Sequence, residues 1–185
     1  HSDPIGFPLQ ALPAAQAERG DLVEHLGLGV AIGCLLVLAA WCLVQVVLHR
    51  DAVHVWYALY ALVLLLTVGT VTGVTGYLLW DESPGWADAA QGVLPLLAAG
   101  VHLLFMVHLC ALWGRHPWVS RLAFQAGWLV VGTALAYPWL GAELQRYLVA
   151  GGMLAGEGAG LLLAVLSWRR GDRVGGLVLL AYVPL

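Results

Sequence analysis

An all-α, polytopic transmembrane helical bundle is the fold class this sequence predicts, on three observations. Of its 185 residues, 61% are hydrophobic and 10% charged, and the mean hydropathy is +0.85; a soluble domain is about 25% charged. The apolar residues fall in runs of about 20, the length that crosses a bilayer as a helix. All eight basic residues are arginines, and they gather in alternate connections between the runs. This composition excludes a water-soluble enzyme, a disordered chain and a nucleic-acid binder, because there is no basic patch to neutralise phosphates.

Each span follows from its run and its stop. Leu26 to Leu48 is closed by His49, Arg50 and Asp51. Val55 to Trp80 ends at the acidic stretch Asp81, Glu82, and at Pro84. Ala90 to Trp113 ends at Gly114, Arg115 and Pro117. Leu122 to Leu140 carries Pro138 near its end, and Tyr147 to Trp168 is closed by Arg169, Arg170 and Arg173. Val174 to Leu185 starts a sixth span of 12 residues. The runs are apolar all round, and in lipid only helices and closed barrels satisfy every backbone group, so helices are expected. With the N-terminus outside, the inner connections hold six arginines (50, 115, 121, 169, 170, 173) and the outer segments two (19, 146). The positive-inside rule therefore places the N-terminus outside. Tryptophans 80, 86, 113, 118, 139 and 168 lie at span ends, where indoles anchor to the interface. The outer stretch Asp81 to Ala89 reads as the longest complete connection.

Two regions result: an extracytoplasmic juxtamembrane segment over 1–24, a tether or the tail of a sensor domain, and the bundle over 25–185. His1 and a terminus inside an apolar run are the ends expected of a piece of a longer chain. Cys34, Cys42 and Cys110 lie in apolar stretches without metal-ligand spacing and read as small buried hydrophobes. No metal site is expected.

The fifth span holds Gly152, Gly156 and Gly160 at four-residue spacing, which puts them on one helix face where backbones approach closely. Gly29 and Gly33 form a similar packing pair, as do Gly69 and Gly73. Glu157 sits mid-span among those glycines. A carboxylate at that depth costs about 2.5–3.5 kcal/mol, so it is expected to face the bundle interior, protonated or paired. Its candidate partners in an intramembrane polar or ligand site are His102, His108, Gln125 and Thr72, the last within a threonine-rich second span (67, 70, 72, 75). No catalytic residues are expected: the chain has no GxSxG, no phosphate-cradling glycine loop and no HExxH. Without lysine, a retinal Schiff base is impossible within it.

A redox reading competes. His102 and His116 are 14 residues apart, roughly 21 Å along a helix and within about 40° of one face, a spacing that suits two stacked b-type haems. The second histidine pair that such ligation needs is missing, so no cofactor is expected. A haem b or quinone redox subunit, or a small transporter, is the alternative function.

The join of the first two spans reads H-R-D-A-V-H-V-W-Y-A-L-Y over residues 49–60. The first span opens on Gly27, Gly29 and Gly33, and the second ends G-Y-L-L-W over 76–80 before Pro84. The third is long, with Leu103, Leu104 and Phe105, and leads into an inner arginine loop. In this order, over residues 20 to 185, the chain resembles the bacterial seven-transmembrane receptors with diverse intracellular signalling modules. The resemblance implies a seventh span, an inner-membrane sensor and transducer, and a homodimer. It also implies an extracytoplasmic ligand or sensor domain. A cytoplasmic output domain in cis, of the diguanylate cyclase or histidine kinase type, completes it, with catalysis lying beyond the bundle. Membrane lipids are partners and nucleic acid is not.

Overall fold

A computed structural model describes residues 14–49, 51–81, 83–110 and 117–182. The described chain is helical: α1 (Ala14–His49), α2 (Ala52–Val71), α3 (Val74–Leu79), α4 (Pro84–Leu109), α5 (Pro117–Ala136), a 3-10 turn (Tyr137–Trp139), α6 (Ala142–Trp168) and α7 (Arg173–Tyr182). Among the described residues five helices are long and apolar enough to cross a membrane, and α7 is a shorter apolar helix. This is the all-α polytopic bundle expected, with five helices of spanning length and the shorter α7 where the sixth span was read. Helix α1 starts at Ala14 and runs unbroken into the first span.

Helix α4 is the centre. Of its span 78% is buried, against 11% for α1 and 22% for α2, α5 and α6. It packs on α2, α5 and α6; α1 lies outside α2, and α7 lies on α6. The core joins Leu103, Met106 and Val107 of α4 and its C-cap Cys110 to Leu163 and Ala164 of α6, flanked by Val119 and Ala123 of α5 and by Val178 and Leu179 of α7. The outward faces carry large apolar side chains such as Val37, Leu129 and Leu162, as a lipid-facing surface requires. Trp118, Trp139 and Trp168 are exposed at helix ends, and Trp80 meets Trp86 edge-to-face at 6.1 Å.

Helices α5 and α6 begin at Pro117 and Ala142, five residues before the Leu122 and Tyr147 expected. Two further differences from the sequence reading change the path of the chain. The second span is not one helix: α2 stops at Val71, Gly73 takes φ 79°, and α3 restarts at Val74. A left-handed residue is cheap only for glycine. The break strands little polar backbone, because Thr72 and Gly73 amides donate to Val68 and Thr70 carbonyls. Thr67, Thr70 and Thr72 hydroxyls donate to the Val63, Leu66 and Val68 carbonyls at 2.8 Å. Thr70 and Thr75 hydroxyls, 2.8 Å apart, bridge the two pieces, and the Thr75 methyl covers Gly69. The second difference is the outer connection. Helix α4 begins at Pro84, not Ala90, because proline is pre-set for the first helical position and the polar first turns sit outside the apolar window. The stretch read as the longest loop is mostly helix.

Helices α4 and α5 touch backbone to backbone. A Cβ on Gly100 would lie 2.8 Å from Val131 Cγ2 and 3.1 Å from Gly127 O; one on Gly127 would lie 2.9 Å from Leu104 and 3.3 Å from Gly100 O. Gly92 is covered by the Tyr137 ring of the 3-10 turn. By contrast Gly29 and Gly33 have nothing within 4 Å of a built Cβ. As a packing pair within this chain they are corrected: α1 is buried at Ala39 and Cys42, farther along. Cys34 is exposed, not buried.

Replacing Gly127 by leucine is expected to lower stability in detergent by about 1–3 kcal/mol through overpacking. Gly132→Ala, where the space is open, should be neutral or stabilising by up to about 1 kcal/mol. Thermal unfolding of the two variants measures the difference.

Candidate functional site

The polar side chains of the mid-membrane region come together because α6 and α7 form a tight antiparallel pair. Gly171 (φ 82°) turns the chain. Asp172 then caps α7, accepting from the Val174 amide at 3.0 Å and from Ser167 Oγ at 3.2 Å. A Cβ on Gly175 would lie 2.6 Å from Trp168 N and 2.8 Å from Ala164 O, so only glycine lets α7 fold this closely onto α6. Tyr182 lies nine residues up α7 and Glu157 eleven residues down from the end of α6. At 1.5 Å per residue these are nearly equal depths, about 14 and 16 Å.

The glycine face of α6 sets the second approach. Built Cβ atoms on Gly152, Gly156 and Gly160 would lie 2.5 Å from Leu96, 2.9 Å from Ala99 and 2.8 Å from His102 Nε2, all on α4. The glycines thus bring α6 against α4 at the level of His102, which is buried. The same Cβ built on Gly160 would lie 3.1 Å from Tyr182 Oη.

The result is a triangle from three helices. Tyr182 Oη is 2.9 Å from His102 Nε2 and donates to Glu157 Oε2 at 3.2 Å. His102 Nδ1 faces Glu157 Oε1 at 3.7 Å. Tyr60 of α2 meets the His102 ring edge-on at 5.0 Å and stacks on Phe105 at 6.2 Å. The triangle borders a cleft of about 660 Å³ lined by Tyr60, Phe105, Met106, Val178 and Tyr182 among others. A smaller cavity of about 70 Å³ on its other side reaches Thr67 and Pro95. Glu157 and Tyr60 line both.

Of the site residues read from sequence, the structure joins Glu157 and His102. The expectation that Glu157 turns wholly inward is corrected in part: half of its side chain is exposed, along the open side of the cleft, while both oxygens face polar neighbours. His108 is elsewhere. Its Nδ1 lies 2.7 Å from the Leu104 carbonyl, and its ring stacks on Trp56 at 5.5 Å with Phe124 at 6.3 Å. Gln125 is exposed on α5. Thr72 is exposed and bonded to its own helix at the break. These three are not brought to Glu157. Tyr182 and Tyr60 were missed, because a tyrosine in an apolar run carries no signal of its own and both partners are remote in sequence. Among the described residues no cluster of three or more histidine, cysteine or acidic groups could hold a metal ion. Iron ligation by His102 Nε2 would require Tyr182 to leave; His116 lies outside the described residues.

The Tyr182 hydroxyl is the joint of the triangle. Tyr182→Phe is expected to lower stability by about 1 kcal/mol, two membrane hydrogen bonds at about 0.6 kcal/mol each, with helical content unchanged. Unfolding in mild detergent followed by circular dichroism tests this.

No curated protein and no solved structure matches the chain. The family model described as 7TM diverse intracellular signalling matches residues 24–185, which covers every helix from the first span onward. The match spans well over half of the chain and all five helices long and apolar enough to cross a membrane among the described residues, so the chain belongs to the 7TM diverse intracellular signalling family.

Proposed function

We propose that this chain is the sensor and transducer of a bacterial signalling receptor. It carries an extracytoplasmic signal through the inner membrane to a cytoplasmic output domain, of the diguanylate cyclase or histidine kinase type. Family membership over residues 24–185 is the observation that carries the reading. The bundle itself is the non-enzymatic part, and catalysis belongs to the output domain. The arginine distribution supports an extracytoplasmic N-terminus: six of eight arginines fall in the connections of one side. A homodimer embedded in lipid belongs to the same reading.

The physics of such a transducer is a choice between helix packings of similar energy. A signal shifts that choice only by its differential affinity for the two states. Glycine-lined contacts between α4 and α6 let one helix slide on the other with little steric cost. The Tyr182–His102–Glu157 triangle is polar, directional and placed where α7 meets both, so it favours one register over its neighbours. A change at one charge-assisted hydrogen bond, worth about 1.5–3 kcal/mol in either direction, moves such an equilibrium about tenfold or more.

Glu157→Gln in the intact receptor is therefore expected to change basal output by about tenfold, measured as product of the output domain in cells. Gly132→Ala, in open space on α5, serves as the control that leaves output unchanged. An unaltered basal output and an unaltered response in the Glu157 variant would count against the transducer reading.

A further inference from the structure

Three contacts close the triangle: Tyr182 to His102, Tyr182 to Glu157, and His102 to Glu157, at 2.9, 3.2 and 3.7 Å. The first two are hydrogen bonds, each with one proton between its heavy atoms; the third is too long for a hydrogen bond, but it sets two lone pairs face to face unless one partner carries a proton. A neutral imidazole, an ionised carboxylate and a phenol offer two protons in all. With two protons and three contacts, one contact always sets acceptor against acceptor, whichever tautomer the imidazole takes. If the tyrosine donates to the glutamate, Nε2 donates to the tyrosine and Nδ1 faces a carboxylate with a bare lone pair. If the tyrosine donates to the histidine, Nδ1 donates to Glu157 Oε1 and Oε2 faces the phenol oxygen with no proton between. A third proton satisfies all three contacts and removes the net charge.

Among the described residues no other group fills that need. His102 Nδ1 is buried and has no hydrogen-bond partner, and the His102 side chain is 9% exposed, so an incoming ligand cannot donate to it. A bridging water spans about 4.5 Å between its two acceptors, more than the 3.7 Å here. Neither cavity is lined by an arginine. The titratable groups that face the triangle are Tyr60 from α2, His102 from α4, Glu157 from α6 and Tyr182 from α7. Tyr57 and Cys110 stand next in line, beside Tyr60 and Tyr182 respectively. None of the neutral ones carries a positive charge to offset Glu157, and an uncompensated carboxylate at this depth is costly.

We infer that His102, Glu157 and Tyr182 form an intramembrane proton-binding site, in which one proton held on His102 or on Glu157 fastens α7 to α4 and α6. Binding adds one proton and one positive charge to the cluster; release leaves the cluster at −1 and one contact repulsive. The site therefore holds α7 in place while protonated and frees it as pH rises. As the signal-bearing ligand this proton rests on the transducer reading; as a bound proton it does not.

The test uses the full receptor chain in lipid nanodiscs at about pH 8, where an isolated glutamate and an isolated histidine are both deprotonated. Nitrogen-15 NMR of the histidines and infrared spectroscopy of the carboxyl groups count the proton. One of two results is expected: an imidazolium signal that His102→Asn removes, or a protonated-carboxyl band that Glu157→Gln removes. Spin labels at the exposed positions 162 on α6 and 180 on α7 report the packing. Their distance should broaden as the proton signal is lost at higher pH. In Glu157→Gln the amide supplies its own hydrogens to the triangle, so this pH response should be lost and the narrow distance kept. That variant also guards against misfolding of the histidine variant. A neutral imidazole facing an ionised carboxylate at about pH 8 overturns the proposal, and so does a distance that ignores deprotonation. Should the spectra show the proton while Glu157→Gln leaves receptor output unaltered, the transducer reading fails and the proton site stands.

Discussion

The close approach of two neighbours to α4 is the constraint on which this molecule depends. In lipid there is no hydrophobic drive between helices, because the tails are as apolar as the side chains. Association rests on contact area and on polar links. Gly100 and Gly127 let α4 and α5 meet at their backbones, and Gly152, Gly156 and Gly160 do the same for α6. These contacts leave α4 buried over most of its span while the other helices stay largely on the surface. The apolar core and the triangle at His102 sit on the faces these glycines bring together.

Polar groups then decide what the glycines leave open. A glycine-lined face tolerates several registers, since it has few side chains to interlock. His102, Glu157 and Tyr182 are compatible with one register, because hydrogen bonds have narrow distance and angle ranges. The α6–α7 turn sets the depth at which they meet, through Gly171, Asp172 and Gly175. Stability from packing and specificity from polar contact are thus carried by different residues on the same helices. That division lets the polar contacts change without dismantling the bundle.

The second span shows the same economy in its backbone. A break inside a membrane helix exposes carbonyls that water cannot reach, and threonine hydroxyls are well suited to answer them. Thr67, Thr70 and Thr72 each donate one turn back, and Thr70 joins Thr75 across the break. The threonine-rich stretch that reads as a polar lining in sequence is largely occupied with its own helix. Thr67 reaches the small cavity beside Glu157; Thr72 does not.

By itself the sequence determined the number of full spans, their approximate limits and the class of fold. Bilayer thickness sets a minimum apolar length, and that length is written directly in the chain. It also marked Glu157 and the Gly152, Gly156, Gly160 face, because a mid-span carboxylate and regularly spaced glycines stand out against an apolar background. Only the tertiary structure decided which helix is central, which partner Glu157 meets and which glycines touch a neighbour. Lipid and helix interior are equally apolar, so burial leaves no polar-apolar periodicity to read: Gly29 and Gly33 look like Gly152 and Gly156 in sequence, yet only the latter face another helix. Tyr182 lies 80 residues from His102, and nothing local couples them. The break at Gly73 and the helix start at Pro84 were hidden for a related reason. An apolar window records where lipid can be, while hydrogen bonding and backbone dihedrals decide where a helix begins and ends.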